Sequence, residues 1–452
     1  MKLLARPGGI LLETSFALLG ALFLLGAIDD LFIDLVHAFK RMRPLQISKE
    51  QWRILRKFPE RRLAIMIPAW QESSVLEAMV KTNLRRIRYR NYKWFIGAYP
   101  NDPDTLAIAR NLEERFPDKV EVIVTDREGP TSKAHCLNCI YRHLEVSRWQ
   151  PDFLAIHDAE DVIHPDAFTA VNAESGNLDF IQLPIFSLPV PVREWISGTY
   201  LDEFAEIHLR EIPVRKQLGM PIPSAGVGTF FSASILEQVK DRYGYVFDEG
   251  NLTEDYEISL RIARLGGRQD FLLIRDEEGA VVATREYFPH EFTRSVRQKT
   301  RWTTGITLQT TAKWKAFGTF HRGSLRKNPF PFWYALFRDR KSLWSNPAGA
   351  VAWALLPLGL SQPEVLMNTA TLMKWNLALF TVRLIQRARF CTELYGWKHG
   401  LMSLPRVVLS NVINFLAWVR AMTQFFSTPK TEKRREIVWD KTDHRFPDLG
   451  AA

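Results

Sequence analysis

The sequence predicts an α/β fold built on a parallel sheet and flanked by N-terminal and C-terminal membrane helices. Three observations predict it: short apolar runs alternate with longer helical patterns from Arg62 to Val124, a later apolar run stops abruptly in a string of acids, and apolar residues concentrate at both ends of the chain. At 452 residues there is room for one enzyme-sized domain with smaller flanking elements, because single cores stop growing at roughly 250 to 300 residues. The net charge of +10 is dispersed and accompanies no nucleic-acid motif or uniformly basic helix, so nucleic acid is not an expected partner.

The first element is Ser15 to Phe39, rich in Leu, Ala and Phe and long enough for a bilayer that needs about 20 residues, with Asp29, Asp30 and Asp34 making its second half polar. No Ala-x-Ala site closes the run, and Lys40-Arg41-Met42-Arg43 follows as a stop-transfer pattern. A membrane helix is therefore expected rather than a cleaved signal, with the next domain on the cytoplasmic side.

Strand-like runs at Leu63 to Ile67, Trp94 to Ala98 and Val120 to Val124 then alternate with helical patterns around Ser74 to Ile87 and from Asp104. Helical Lys133 to Glu145 leads to Phe153 to Ile156, a short buried strand. Ligands of such sheets bind at the carboxyl ends of the strands, which places the following acids in the site. A proline-dense stretch from Leu183 to Pro223 holds an amphipathic helix around Trp195 to Arg210 and reads as acceptor-side elaboration. A second α/β stretch runs to Glu286, and an Arg-rich amphipathic helix begins near Thr293, expected against the membrane face.

Trp344 to Leu360, Thr369 to Leu384 and Leu404 to Phe426 are further membrane candidates, at least one of them expected to be interfacial or re-entrant so that the basic tail stays inside. The basic clusters Lys40 to Arg43, Arg338-Asp339-Arg340-Lys341 and Lys430 to Arg435 are expected to meet anionic lipid. The resulting division is a membrane helix within residues 1–45, an α/β catalytic domain over 60–290, interfacial helices over 291–340, membrane or interfacial helices over 341–428 and a basic cytoplasmic tail over 429–452.

Five constellations carry candidate chemistry. Ile67-Pro68-Ala69-Trp70-Gln71-Glu72 is a strand that stops at proline and turns into an acidic helix start, which a buried strand and a capped helix explain equally well. In Tyr99-Pro100-Asn101-Asp102-Pro103-Asp104, Asp102 is placed to accept from a uracil ring or a ribose hydroxyl, with Asp104 expected to cap the following helix.

In His157-Asp158-Ala159-Glu160-Asp161, three carboxylates crowd behind an apolar strand, a repulsion that a cation relieves. Oxygen donors suit Mg²⁺ or Mn²⁺, with Asp158, Glu160 and Asp161 as ligands and His157 as a packing residue. At Thr253-Glu254-Asp255, Thr253 is the expected N-cap, and Asp255 is a suitable base for an acceptor hydroxyl. In Gln298-Lys299-Thr300-Arg301-Trp302, a cation can meet a pyrophosphate and the indole can stack on a sugar; an ordinary amphipathic helix face gives the same pattern. The 3 cysteines suggest no disulfide framework. Cys136 and Cys139 form a CxxC, but with no second cysteine pair and no strongly acidic or histidine partner set nearby they read as buried helix residues rather than a zinc or redox site.

In this order, Asp102, Asp158-Ala159-Glu160, Thr253-Glu254-Asp255 and Gln298 to Trp302 resemble the D, DxD, TED and QxxRW signature of processive family-two glycosyltransferases such as cellulose and hyaluronan synthases. The match covers roughly Arg62 to Ile306. It implies a GT-A, Rossmann-like nucleotide-sugar-binding fold and an inverting, metal-dependent transfer from a nucleoside diphosphate sugar to a glycan acceptor. By the resemblance, Pro68, Glu72, Asp102, Lys133 and Asp158 bind the nucleotide-sugar, Asp158 and Glu160 hold the metal diphosphate, and Asp255 is the base beside Glu254. Phe230 (in Gly228 to Ser232), Gln298, Arg301 and Trp302 then serve diphosphate and acceptor.

Tyr99 to Thr105, His157 to Pro165, Arg338 to Lys341 and Trp439-Asp440-Lys441-Thr442 look like the NfrB group of bacterial inner-membrane proteins, which serve in phage adsorption and exopolysaccharide synthesis. That likeness implies an outer-membrane export or phage-receptor partner, and with the ordered acids and QxxRW a UDP-N-acetylhexosamine is the donor to test first. Two departures stand out. Glu160 replaces the second Asp of DxD, so Asp161 is a substitute ligand. Longer NfrB proteins carry a cyclic-di-GMP-binding domain after the Trp439 to Phe446 region, where this chain ends, so regulation by that nucleotide is not carried over.

Overall fold

Seven short segments, most of them apolar, build the main sheet: β1 (Leu63–Pro68), β2 (Tyr92–Ala98), β3 (Val120–Val124), β4 (Phe153–Ile156), β5 (Phe180–Gln182), β6 (Thr229–Ser232) and β7 (Gln269–Phe271). The computed structural model describes residues 7–310, 324–427 and 445–447. The strands lie in the order β7-β5-β6-β4-β1-β2-β3. Pairings are parallel except around β6, which runs antiparallel to both β4 and β5, so the expected parallel sheet is a mixed one. Thr229–Ser232 is buried on both faces and shows no alternation, which is why its direction is not encoded in any pattern.

The strands are continuous apolar runs because both faces of the sheet are covered. Ile65, Ile67, Trp94, Ile96 and Phe153 enter one core, while their neighbours Ala64, Met66, Phe95, Leu154 and Ile156 enter the other. A smaller sheet sets Thr284–Glu286 between Val162–Ile163 and Ile185–Ser187. The helix expected around Trp195 to Arg210 runs Trp195–Glu206 and continues through a π-helical turn, Ile207–Glu211, into Ile212–Gln217.

Among the described residues two helices are long and apolar enough to cross a membrane, Gly9–Phe39 and Trp397–Ser427. The further candidates form helices Ser342–Leu360 and Ala370–Tyr395, which fall outside that pair. The Lys430 to Arg435 cluster and Trp439 to Thr442 lie outside the described residues.

Acids of the first helix are paired inward. Asp34 meets Arg210 at 2.9 Å and Asp30 meets Arg383 at 2.6 Å, while Asp29 takes Arg338. Arg338 and Lys341 are thus engaged with Asp29 and Asp30, which corrects the expectation that this cluster faces lipid: buried charges need partners, and these lie in the first helix. The last helix is tied to the catalytic domain by Arg406, whose guanidinium donates to both oxygens of Asp202 at 2.6 and 2.9 Å.

Candidate active site

The carboxyl ends of β1, β2 and β4 open on one side of the sheet, and the loops that follow them form a cradle. After β1 the chain turns at Gln71, whose φ of +56° lets its backbone N–H reach Asp102 Oδ2 at 2.6 Å. Asp102 Oδ1 accepts from Thr105 N at 3.4 Å, so Asp102, not Asp104, caps the helix Pro103–Arg115. The reason is Pro103: proline suits the first helical position, which leaves the residue before it as the cap. Pro68 and Glu72 are both buried, and the Glu72 backbone N–H donates to Thr105 Oγ1 at 2.9 Å.

The acidic turn after β4 is held from below. His157 Nδ1–H donates to Asp161 Oδ2 at 2.7 Å, and the Asp158 N–H reaches the same oxygen at 3.1 Å. Burial pushes His157 down to about 3, so the ring is a neutral donor. Burial, with the charges of Asp158 and Glu160, pushes Asp161 well above the usual carboxylate range. Asp161 is turned inward, whereas the Asp158 side chain is 25% exposed and meets Lys133 Nζ at 2.5 Å.

Lys133 opens its helix behind the Ser132 cap, and its ammonium also lies 3.5 Å from the Gly226 carbonyl. Glu254 and Asp255 begin the helix Glu254–Leu265, and the charge of Lys133 acts on both. Burial and the adjoining Asp255 push Glu254 up to about 8; Asp255 is raised by burial, with Lys133 acting against the shift. Gly226, at φ +78°, makes the approach possible, since a Cβ there would sit 2.6 Å from Asp255 Oδ2. Asp158 and Asp255, 97 residues apart in the chain, therefore share one cleft around Lys133 and Gly226.

The helix Phe292–Trp302 runs along Trp397–Ser427, with the Thr300 hydroxyl 3.4 Å from the Ala417 carbonyl. It continues as a π-helical turn, Thr303–Gln309, whose Gly305 lies against Thr253; Gln309 Oε1 accepts the Leu252 N–H at 2.8 Å. Thr253 occupies the N-cap position without a hydroxyl cap bond. Arg301 lines a small cleft of about 40 Å³ with Arg297, Arg420, Thr304 and Leu252, and Gln298 is partly buried one turn before Trp302. Trp302 meets Tyr200 and Phe204 at 6.1 Å each, and Lys299 is committed to Glu203.

Phe230 is displaced from its expected role. It is fully buried in β6 against His157 and Phe168, so it floors the acidic turn instead of reaching an acceptor. A second cluster corrects the reading that Cys139 has no acidic or histidine partners: His135 stands one helical turn before it, and the turn after β3 folds Asp126 back over the start of the Lys133–Val146 helix.

A mixed α/β sheet with carboxylates converging at its strand ends defines a GT-A glycosyltransferase. The chain belongs to the glycosyltransferase-like family 2, whose model matches residues 59–305. It is 35% identical to bacteriophage adsorption protein B of Escherichia coli (strain K12) and to bacteriophage N4 adsorption protein B of Escherichia coli O157:H7, covering 95% of this chain in each case. The chain spans 62% of the length of these curated relatives. Its fold is similar to that of a mannosyltransferase from Pyrobaculum calidifontis solved with GDP-Man and Mn²⁺, at a TM-score of 0.57 and 16% identity, over 91% of this chain and 99% of that one.

Proposed function

We propose that the chain is a membrane-anchored, inverting transferase that moves a sugar from a nucleoside diphosphate donor to a growing surface glycan on the cytoplasmic face of a bacterial inner membrane. The observation that carries this reading is the shared cleft of Asp158 and Asp255 around Lys133. Asp255 takes the proton of the acceptor hydroxyl as its oxygen bonds to the anomeric carbon, and the bond from that carbon to the diphosphate breaks on the opposite face. Lys133 compensates negative charge beside the leaving group, and Arg301 presents a second cation from the π-turn side.

The donor set also fits a hard divalent cation: Asp158 and Glu160 offer only oxygen, and the part-exposed Asp158 carboxylate is turned to the cleft beside Lys133. Asp158 and Glu160 would hold Mg²⁺ or Mn²⁺, which supplies charge neutralisation at the departing diphosphate. Asp161 orients the turn from below. Pro68, Glu72 and Asp102 shape the nucleotide end of the cradle, and Gln298 and Trp302 the acceptor end.

A UDP-N-acetylhexosamine is the first donor to test, and the GDP-Man of the archaeal neighbour belongs in the same screen. The full chain in detergent, given Mg²⁺ or Mn²⁺, is expected to release nucleotide from one donor class. No binding and no release with any nucleotide-sugar sinks the reading. Extension of one labelled primer to a ladder supports a polymerase; a strictly single addition supports transfer to a lipid or protein. The names of the curated relatives favour one further reading, a scaffold for an outer-membrane or phage-adsorption partner, which is separable from transfer by an inactive but folded variant.

A further inference from the structure

We propose that Asp126, His135 and Cys139 form a second metal site, separate from the acidic turn and built for Zn²⁺. One carboxylate oxygen, one imidazole nitrogen and one sulfur converge at the end of β3, where Asp126 Oδ1 lies 2.9 Å from His135 Nε2 and both lie 3.5 Å from Cys139 Sγ. For tetrahedral zinc, with Zn–S about 2.3 Å and Zn–N and Zn–O about 2.0 to 2.1 Å, the ligand-to-ligand edges come to about 3.5 Å for sulfur to nitrogen or oxygen and about 3.3 Å for nitrogen to oxygen. The triangle already has nearly those edges, so a metal enters it with movements of a few tenths of an ångström.

The surrounding contacts orient each of the three donors. The other ring nitrogen of His135, Nδ1, faces Glu249 Oε1 at 3.3 Å, the carboxylate partner that fixes the tautomer of a ligating histidine. Asn138 Nδ2 donates to the same Glu249 oxygen at 3.3 Å, and Arg127 holds the other at 2.9 Å. Arg142 donates to Asp126 Oδ2 at 2.8 Å, leaving Oδ1 turned to the triangle, and to Cys139 Sγ at 3.2 Å. Two anionic donors and a neutral imidazole balance a divalent charge. His135 and Cys139 are buried while the Asp126 side chain is 59% exposed, which gives an entry path and room for water as the fourth ligand.

Donor chemistry separates the two sites. A thiolate and an imidazole select a borderline-soft ion, whereas the all-oxygen acidic turn selects Mg²⁺ or Mn²⁺. The proposed ion would brace the active site, because His135 lies two residues after Lys133 and Glu249 five residues before Glu254.

The test uses the full chain in detergent, stripped with a chelator and titrated with Co²⁺ and then Zn²⁺. The expected result is one equivalent of Co²⁺ with a sulfur-to-cobalt charge-transfer band that Zn²⁺ abolishes. The band is lost in Cys139→Ser, persists in Cys136→Ser and Asp158→Asn, and needs roughly 10- to 100-fold more metal in Glu249→Gln. In the unaltered chain Zn²⁺ also slows alkylation of Cys139, a readout that requires no variant to fold. A cobalt complex with no sulfur band, a band that survives Cys139→Ser, or Cys139 alkylation indifferent to Zn²⁺ overturns the proposal and leaves an ion-pair cluster only.

Discussion

Lys133 and Asp158 form an ion pair of 2.5 Å, and the same ammonium acts on Glu254 and Asp255 from the far side of the cleft. Its own proton is held more tightly than usual: burial works against the charge, but the surrounding acids outweigh it. A cation fixed among carboxylates opposes the rise that burial imposes on Asp255.

Asp255→Asn preserves shape and removes the base. Transfer is expected to fall by roughly 10²- to 10⁴-fold with the melting temperature nearly unchanged. Initial rates with the donor found in the nucleotide screen, beside a thermal melt, check this. A variant retaining half the rate removes Asp255 from the mechanism.

Gly226→Ala puts a methyl group against the base. The φ of +78° costs a non-glycine residue roughly 1 to 2 kcal/mol, and the methyl would stand 2.6 Å from Asp255 Oδ2. Gly219→Ala carries a similar strain at φ +67° with nothing within 4 Å. Both variants are expected to lose similar stability, and Gly226→Ala alone to lose kcat, by roughly tenfold or more. Equal kcat in the two would show that Asp255 tolerates displacement.

Much of this site was legible in the chain because its parts are local. Phe153 to Ile156 reads as a strand from four consecutive apolar residues, and its bounds match the structure. The convergence of Asp158 on Lys133 and Asp255 is tertiary and could enter only through a family resemblance. Other relations left no pattern: the reversed direction of β6, the partners of Asp29, Asp30 and Asp34, and the approach of Asp126 to Cys139, whereas His135 one helical turn before Cys139 was there to be read. Phe230 misleads for a related reason, since a motif position does not say whether a ring faces a cleft or the core.

The pair Arg406 and Asp202 is wholly buried on both sides. Arg406→Leu leaves the Asp202 carboxylate with only the Cys391 thiol at 3.2 Å and Arg387 at 4.0 Å, and is expected to destabilise by roughly 3 kcal/mol, with Asp202→Leu in the same chain recovering much of the loss. Thermal melts of the two single variants and the double variant in one detergent measure the coupling. Additive effects would mean the pair does not anchor the last helix.

His208, in the π-turn Ile207–Glu211, donates Nδ1–H to the Ile185 carbonyl at 2.7 Å, and burial pushes it down to about 4. An unfolded histidine titrates near 6.5, so below that pH the unfolded chain takes a proton that the folded ring refuses. This contribution is complete above about 6.5 and fades as pH falls through the window to about 4, by roughly 3 kcal/mol. The melting temperature is expected to drop across that window, and the slope to flatten in His208→Gln. An unchanged slope would place a titrating proton elsewhere.

The π-helical turn Thr303–Gln309 has a genetic consequence. Each of its hydrogen-bonded rings holds one residue more than an α-turn, and a helix rotates by about 100° per residue. Deleting a single codon there would let the segment close into ordinary helix and lose the wider rings that seat Gly305 against Thr253 and Gln309 against Leu252. Length changes in this stretch should therefore be far less forgiving than substitutions, a bias that a scan of single-residue deletions would expose.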